Sequence, residues 1–223
     1  MKWLIFDTET NGLPKKETDL KNNEIKTVWP SVIQLSWIIY DDIKDKIIVE
    51  QDYIITLPSN EKINEESKNI HRISENRIKN GINIELALNM FASSCDIIQG
   101  IVGHNVNFDI NVLLNAAKKT GIRCGLENPK ALFCTMNSSK NICNLINHKG
   151  YLKSPKLIEL HNILFKSEPK DLHNALIDIR VCFRCFYYLM YNEDPLGNRN
   201  LLPFYKLKMK NINKIKVKNI FSY

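Results

Sequence analysis

The sequence has no long apolar run. None of its hydrophobic stretches approaches the ~20 residues of a membrane span, and the first, Trp3 to Phe6, stops at acids. No secretory leader is legible either. The expectation is an intracellular protein without membrane contact, in a reducing compartment such as the cytoplasm or nucleus, with free thiols. Of the cysteines, Cys182-x-x-Cys185 has the form of half a zinc site, but no second pair has the spacing to complete it. The pair also falls inside a periodic helical run, so buried thiols are expected. Internal repeats are lacking. So is the signature of disorder, because a composition 44% hydrophobic and 25% charged is ordinary for a globular chain. A chain of 223 residues can fill one core and is short for two.

Acids are missing from one place in particular. Lys206, Lys208, Lys210, Lys214, Lys216 and Lys218 close the chain with no acid among them, and they carry most of the net charge of +7. Basic charge gathered at one end points to a polyanion, with a solvated tail as the plain alternative. Lysine and apolar residues alternate there. A strand would therefore present lysines on one face, for phosphates or for a partner's sheet.

Residues 2–6 read as a strand, and residues 15–27, charged and aperiodic, as a long loop. Residues 32–40 and 46–55 are β-rich and joined by the acidic turn Asp41-Asp42, which suggests an antiparallel meander. Helical spacing follows over 65–70, 84–95 and 107–119, with short strands at 100–103 and 131–135. Pro155, preceded by Ser154, predicts a helix over 155–165. The apolar face of Ala175, Ile179, Cys182, Phe183 and Phe186 predicts another near 174–190. Strands first and strand–helix alternation afterwards imply an α/β domain whose mixed sheet is covered on both faces.

Asp7 and Glu9 follow the first apolar run, one residue apart. Alternate residues of a strand share a face, so the two carboxylates lie ~7 Å apart at the backbone. Like charges that close raise each other's pKa unless a cation joins them. Hard oxygen donors on one face suit Mg²⁺ or Mn²⁺. One strand cannot complete such a site, and two further acids qualify. Asp109, in GHNVNFDINVLL, falls in the first turn of a helix on the face of Leu113 and Ala116. Asp178 borders the apolar face of the last helix. Each alone has a plain alternative, because the helix dipole favours acids in a first turn. His173 stands five residues before Asp178. With Asn174 as N-cap it lies outside the helix, free to reach over the site as a general base.

The segments FDTET, HNVNFD and HNALID place Asp7, Glu9, Asp109, His173 and Asp178 in an order that resembles the DEDDh family of 3′→5′ exonucleases. The likeness is nearest to the proofreading subunit of bacterial DNA polymerase III and to ribonuclease T. It covers most of residues 1–191, and EESKNIHRIS resembles a further family segment. Residues 15–27 and the basic tail lie outside the pattern. The resemblance implies an exonuclease domain over 1–191, followed by a linker and basic tail over 192–223. It implies a ribonuclease H-like fold, with a mixed five-stranded sheet and helices on both faces. It also implies hydrolysis with two Mg²⁺ ions, for which Mn²⁺ can substitute. One ion would be held by Asp7, Glu9 and Asp178. The other would be bridged by Asp7 and steadied through water by Asp109. His173 would take the proton from the attacking water, and nucleoside 5′-monophosphates would leave from the 3′ end.

The substrate so implied is a single-stranded or frayed 3′ end, of DNA before RNA. Thr8, Thr10 and Gly12 stand beside the acids as candidate contacts, glycine permitting close backbone approach. Leu13 and Phe108 read either as wedges against terminal bases or as packing. Asn105 reads as a substrate contact or a loop brace. His104 reads as a structural cap, and His71, His148 and His161 as surface or satisfied histidines. A polymerase or a second copy is the candidate protein partner. Abundant Ile, Asn and Lys suit an AT-rich genome such as that of a large DNA virus. Two other readings stand beside an exonuclease of DNA: an RNA-trimming enzyme and a non-catalytic nucleic-acid- or polymerase-binding module. The intact set of acids argues against the last.

Overall fold

Lys2–Thr10 form the central strand, β1, of a computed structural model that describes residues 1–18, 23–128, 130–198 and 200–201 and the backbone of 209–211. Lys15–Thr18 (β2) and Ile25–Val28 (β3) follow, then Val32–Asp41 (β4) and Lys46–Ile54 (β5). Three helices come next: Glu65–His71 (α1), Glu75–Lys79 (α2) and Ile84–Cys95 (α3). Gly100–Gly103 (β6), Val106–Thr120 (α4) and Ala131–Cys134 (β7) complete the sheet region. The chain then forms Thr135–Ser138 (α5), Lys140–Cys143 (α6), Leu157–Phe165 (α7), Ser167–Pro169 (β8), Ala175–Tyr191 (α8) and Met209–Asn211 (β9).

The main sheet runs β5-β4-β1-β6-β7. β1 is antiparallel to β4 and parallel to β6, so the sheet is mixed and five-stranded, as expected. The alternation along β1 divides the core. Leu4 and Phe6 pack with Leu88 and Phe91 of α3 and with Val112 and Leu113 of α4. Trp3 and Ile5 pack with Ile179, Cys182, Phe183 and Phe186 of α8 on the other face. Burying each large apolar side chain contributes roughly 1.5–3 kcal/mol; α8 places Ile179, Cys182, Phe183, Phe186 and Tyr187 against the sheet, and Cys185 packs with Leu160 of α7. All six cysteines are free, and Cys182 and Cys185 are buried. Among the described residues no helix is long and apolar enough to cross a membrane.

Three expectations need correction. Residues 15–27 are not a loop throughout: β2 and β3 pair as an antiparallel hairpin. Its strands are exposed on both faces, so no hydrophobic period marks them. Pairing instead sets Glu17 opposite Lys26. Second, α7 begins at Leu157, not at Pro155, because Glu159 Oε2 accepts the Lys156 amide at 2.8 Å and fixes the start there. Third, the segment after Asn192 is not a free linker at its start. Asp194 accepts from Arg184 Nη2 at 2.6 Å, and Leu201 is buried against the α8 cluster. β9 pairs with β8, whereas the tail lysines at 206, 208, 214, 216 and 218 lie outside the described residues.

Candidate active site

β1 carries two acids past the end of its apolar run. Asp7 and Glu9 continue the parity of Trp3 and Ile5, so they emerge on the face covered by α8. Asp178 sits in the first turn of that helix. One oxygen from each of Asp7, Glu9 and Asp178 lies within 4.8 Å of the others. The strand is irregular here: Glu9 pairs with Gln34 but Thr10 pairs with Val32, so Ile33 is an extra residue on β4. Such a bulge sharpens the local twist and re-aims the side chains beside it.

The helix end is fastened to the sheet by one buried side chain. Gln34 Oε1 accepts from the Ala175 amide at 3.3 Å, and its Nε2 donates to Asp52 Oδ1 at 2.7 Å. Asn174 Oδ1 caps the Leu176 amide at 3.1 Å, the cap expected from sequence. Gln34, the register partner of Glu9, therefore ties β4 to the helix of Asp178.

Asp109 approaches from the α4 side and lies outside that trio. Its Oδ1 accepts from the Thr8 amide at 3.0 Å and from the Thr8 hydroxyl at 2.6 Å. Burial, foremost, pushes all four carboxyls up. Asp7 lies well above the usual range, raised further by the charges of Asp109, Asp178 and Glu9. Glu9 reaches about 8, driven by burial and then by Asp178 and Asp109. Asp109 and Asp178 each reach about 7, although the Thr8 bonds pull Asp109 down and the His173 amide pulls Asp178 down. Crowded, oxygen-only donors of this kind fit a divalent cation, which would relieve their repulsion.

His173 stands just before α8 with a left-handed backbone, φ 68°. Its amide, not its ring, contacts Asp178, at 3.1 Å from Oδ2. Partial desolvation, then the charges of Lys156 and Arg72, lower its pKa from 6.5. His104 is structural: Nδ1 meets Thr135 Oγ1 at 2.9 Å and Nε2 meets the Pro155 carbonyl at 3.0 Å. His161 is satisfied by the Ser167 carbonyl and Arg184. His71 departs from expectation. It is buried, and only Nδ1 has a partner, the Ile73 amide, while Nε2 has none among the described residues.

The candidate substrate contacts divide. Thr8 and Thr10 are buried; Thr8 serves Asp109, and Thr10 Oγ1 donates to the Gly12 carbonyl at 2.7 Å. Leu13 is 68% exposed, so its side chain is open to contact from outside the fold. Phe108 is half-buried and meets Trp29 edge-on, with ring centroids 6.0 Å apart. Asn105 is exposed and left-handed (φ 65°), and its side chain makes no cap bond to α4. A methyl at Gly12 would meet only Asn64 Cβ, at 3.9 Å, so the fold itself leaves room there.

Sequence reasoning missed Gln34, Trp29 and the cations Arg72 and Lys156 near His173. Gln34 did leave a signal, as a polar residue inside a run otherwise rich in buried apolar residues.

The sequence model of the RNase_T exonuclease family matches residues 4–186. No curated protein sequence matches. Among solved structures the chain is similar to Escherichia coli exonuclease I in complex with a dT13 oligonucleotide. That likeness has a TM-score of 0.66 and 14% identity, over 88% of this chain and 42% of the other. The complex of the same enzyme with a dA16 oligonucleotide gives 0.65 and 15%, over 87% and 41%. A zinc-bound form of its complex with single-stranded DNA gives 0.61 and 14%, over 89% and 41%. The chain thus spans about two fifths of the length of these proteins, and the likeness is one of fold. With the family match running from β1 into α8, the chain belongs to the RNase_T exonuclease family.

Proposed function

We propose that this protein is a metal-dependent 3′→5′ exonuclease. It cuts phosphodiester bonds at single-stranded or frayed DNA 3′ ends and releases nucleoside 5′-monophosphates. The convergence of Asp7, Glu9 and Asp178 within 4.8 Å carries the reading, because nothing in folding favours three half-buried like charges together. These three residues would hold Mg²⁺, or Mn²⁺ in its place, and Asp109 would steady a second ion from the α4 side. A bound cation would supply positive charge to the phosphoryl group and to the departing 3′ oxygen.

The chain's own groups do the rest. His173, with a pKa lowered from 6.5, is neutral at pH 7 and can accept the proton of the attacking water. His173 is an exposed residue of the loop before α8, which leaves it accessible to a bound strand. Arg72 and Lys156, near enough to act on His173, favour an approaching phosphate. Leu13 and Phe108 would contact the terminal bases, with Thr8, Thr10, Gly12 and Asn105 shaping the floor. The catalytic unit is residues 1–191, with the Lys-rich tail adding phosphate contacts. DNA is favoured because E. coli exonuclease I, which shares the fold, is known in complex with single-stranded DNA.

The test uses 5′-labelled DNA and RNA strands of one sequence, with Mg²⁺, Mn²⁺ or EDTA, beside Asp7→Ala. A ladder shortening from the 3′ end, dependent on metal and on Asp7, is the expected result. Faster loss of RNA would move the reading to a trimming ribonuclease. No shortening by folded protein would leave a binding module.

A further inference from the structure

Beyond the carboxylates, β1 runs into a second concavity. Residues 11–13, 28–31 and 61–64 bound a cavity of about 440 Å³, with β2 along one side and Lys119 of α4 at the rim. Its walls are fixed by one residue, Asn11. The Asn11 amide donates to the Ser31 carbonyl at 3.0 Å, and its Oδ1 accepts from the Ser31 amide at 2.8 Å. Its carbonyl accepts from the Asn64 amide at 2.8 Å, and its Nδ2 donates to Glu61 Oε2 at 3.1 Å and to the Lys62 carbonyl at 3.2 Å. Three chain segments are thereby held at a set spacing.

Trp29 lines this groove. It is half-buried, and its ring is braced edge-on by Phe108, the neighbour of Asp109. Lys15, Lys62 and Lys119 also line it, and none is in an ion pair among the described residues. Two acids lie there as well, Glu17 and Glu61, the latter engaged by Asn11. Exposed Leu13 joins the groove to the acid cluster through the four residues that follow Glu9. A rigid aromatic face, unpaired ammonium groups and continuity with the carboxylates fit an unpaired nucleotide better than a peptide or a small apolar ligand.

We propose that this groove is a nucleotide-binding subsite in which an unpaired base of the bound strand stacks on Trp29, with backbone phosphates on Lys15, Lys62 and Lys119. The proposal rests on the reading of the protein as a nucleic-acid enzyme and gives the hairpin β2–β3 a task. The hairpin lies outside the main sheet, and its strands are almost wholly exposed. An isolated two-stranded hairpin is marginal in water, so packing explains little of it. Here it forms one bank of the groove.

Fluorescence tests this without catalysis. Trp3 and Trp37 are buried, so an oligonucleotide that reaches tryptophan reaches Trp29. The full chain is titrated in EDTA with a ten-residue oligothymidylate, and separately with an abasic strand of equal length. Binding is followed in parallel by anisotropy of a labelled strand. The expected result is quenching of the wild type by the base-bearing strand only, and none in Trp29→Phe. Trp29→Leu should bind the strand about five- to a hundredfold more weakly, with Trp29→Phe restoring most of the affinity, as stacking requires. Binding without quenching, quenching that survives in Trp29→Phe, equal affinity for Trp29→Leu, or no binding at all would each overturn the groove. The first three leave the exonuclease reading standing. Quenching by a protein that shortens no strand with Mg²⁺ or Mn²⁺ would uphold the groove and reject the exonuclease.

Discussion

Thr8 donates twice to a single oxygen of Asp109, through its amide at 3.0 Å and its hydroxyl at 2.6 Å. The two residues are 101 apart in sequence. The contact binds the first turn of α4 to β1 between the two acids of that strand. Both bonds favour the charged carboxyl, while burial drives Asp109 up to about 7. Thr8→Val keeps the amide bond and the side-chain volume but removes the hydroxyl. Losing one bond to a buried charged group costs about 1–3 kcal/mol. The expected outcome is a fall in kcat of about tenfold or more at saturating metal, with Thr8→Ser near wild type. Single-turnover cleavage of a labelled strand measures it, and full activity in Thr8→Val would reject a role for this contact.

The acids of β1 were legible because a strand has a period of two, and Asp7 and Glu9 inherit the face of Trp3 and Ile5. The last helix was legible from its apolar stripe, and its cap from Asn174. Thr8 as the partner of Asp109 was not, since nothing local links residues so far apart. The hairpin β2–β3 escaped because a ribbon exposed on both faces has no hydrophobic pattern. The second wall of the groove, at 61–64, becomes a wall only through Asn11, a contact made by folding.

Gln34 has no reason to be buried except its bonds to Ala175, Asp52 and Asn174. Gln34→Leu keeps the bulk and removes the tie between β4 and α8. Asp178 then loses its fixed position relative to Glu9. Supporting residues of metal sites typically influence affinity by 10–100-fold. Gln34→Leu should therefore weaken Mn²⁺ binding by about tenfold or more while the far-UV dichroism stays native. A titration calorimeter gives the affinity, and an unchanged value would make Gln34 a packing residue only.

His173 should set the acid side of the pH profile. Its pKa is lowered from 6.5, so the neutral ring predominates at pH 7 and is lost only on acidification below that ordinary value. At saturating metal, kcat should hold steady near neutrality and fall once the ring is protonated. His173→Ala should lower kcat by about 10²–10⁴-fold and remove the His173 inflection. A variant that keeps both rate and inflection would shift the base role to another group.

Gly100 lies opposite Trp3 across the β1–β6 pair, and an added Cβ would stand 2.3 Å from the indole ring. The ring, wedged between sheet and Phe186, cannot yield freely. Overpacking of a filled core typically costs about 1–3 kcal/mol. For a chain of this size each kcal/mol lowers Tm by about 2–4 °C. Gly100→Ala should melt correspondingly lower, with activity per folded molecule unchanged. Trp3→Phe in the same chain should recover part of the loss, and a simple sum of the two single effects would place the strain elsewhere.

The carboxylate cluster makes stability without metal depend on pH in an unusual sense. Glu9 rises from 4.5 to about 8, and Asp109 and Asp178 from 3.8 to about 7. Between those limits the folded state binds more protons than the unfolded one. The cluster's contribution is therefore complete below about pH 4 and is lost as pH climbs toward 8. In EDTA, Tm should fall across that interval through these groups. A divalent cation reverses the trend because it binds the ionised carboxylates and releases their protons. At a hundredfold excess over Kd it adds about 2.7 kcal/mol, or about 5–10 °C, and the gain should be larger at pH 8 than at pH 5.5. Asp7→Asn removes one of the repelling charges. It should raise Tm in EDTA at pH 8 and nearly abolish the metal-induced gain. Calorimetric scans of both proteins at the two pH values, with EDTA or Mg²⁺, decide the matter. An equal metal gain at both pH values, or one retained in Asp7→Asn, would place the cation away from these acids.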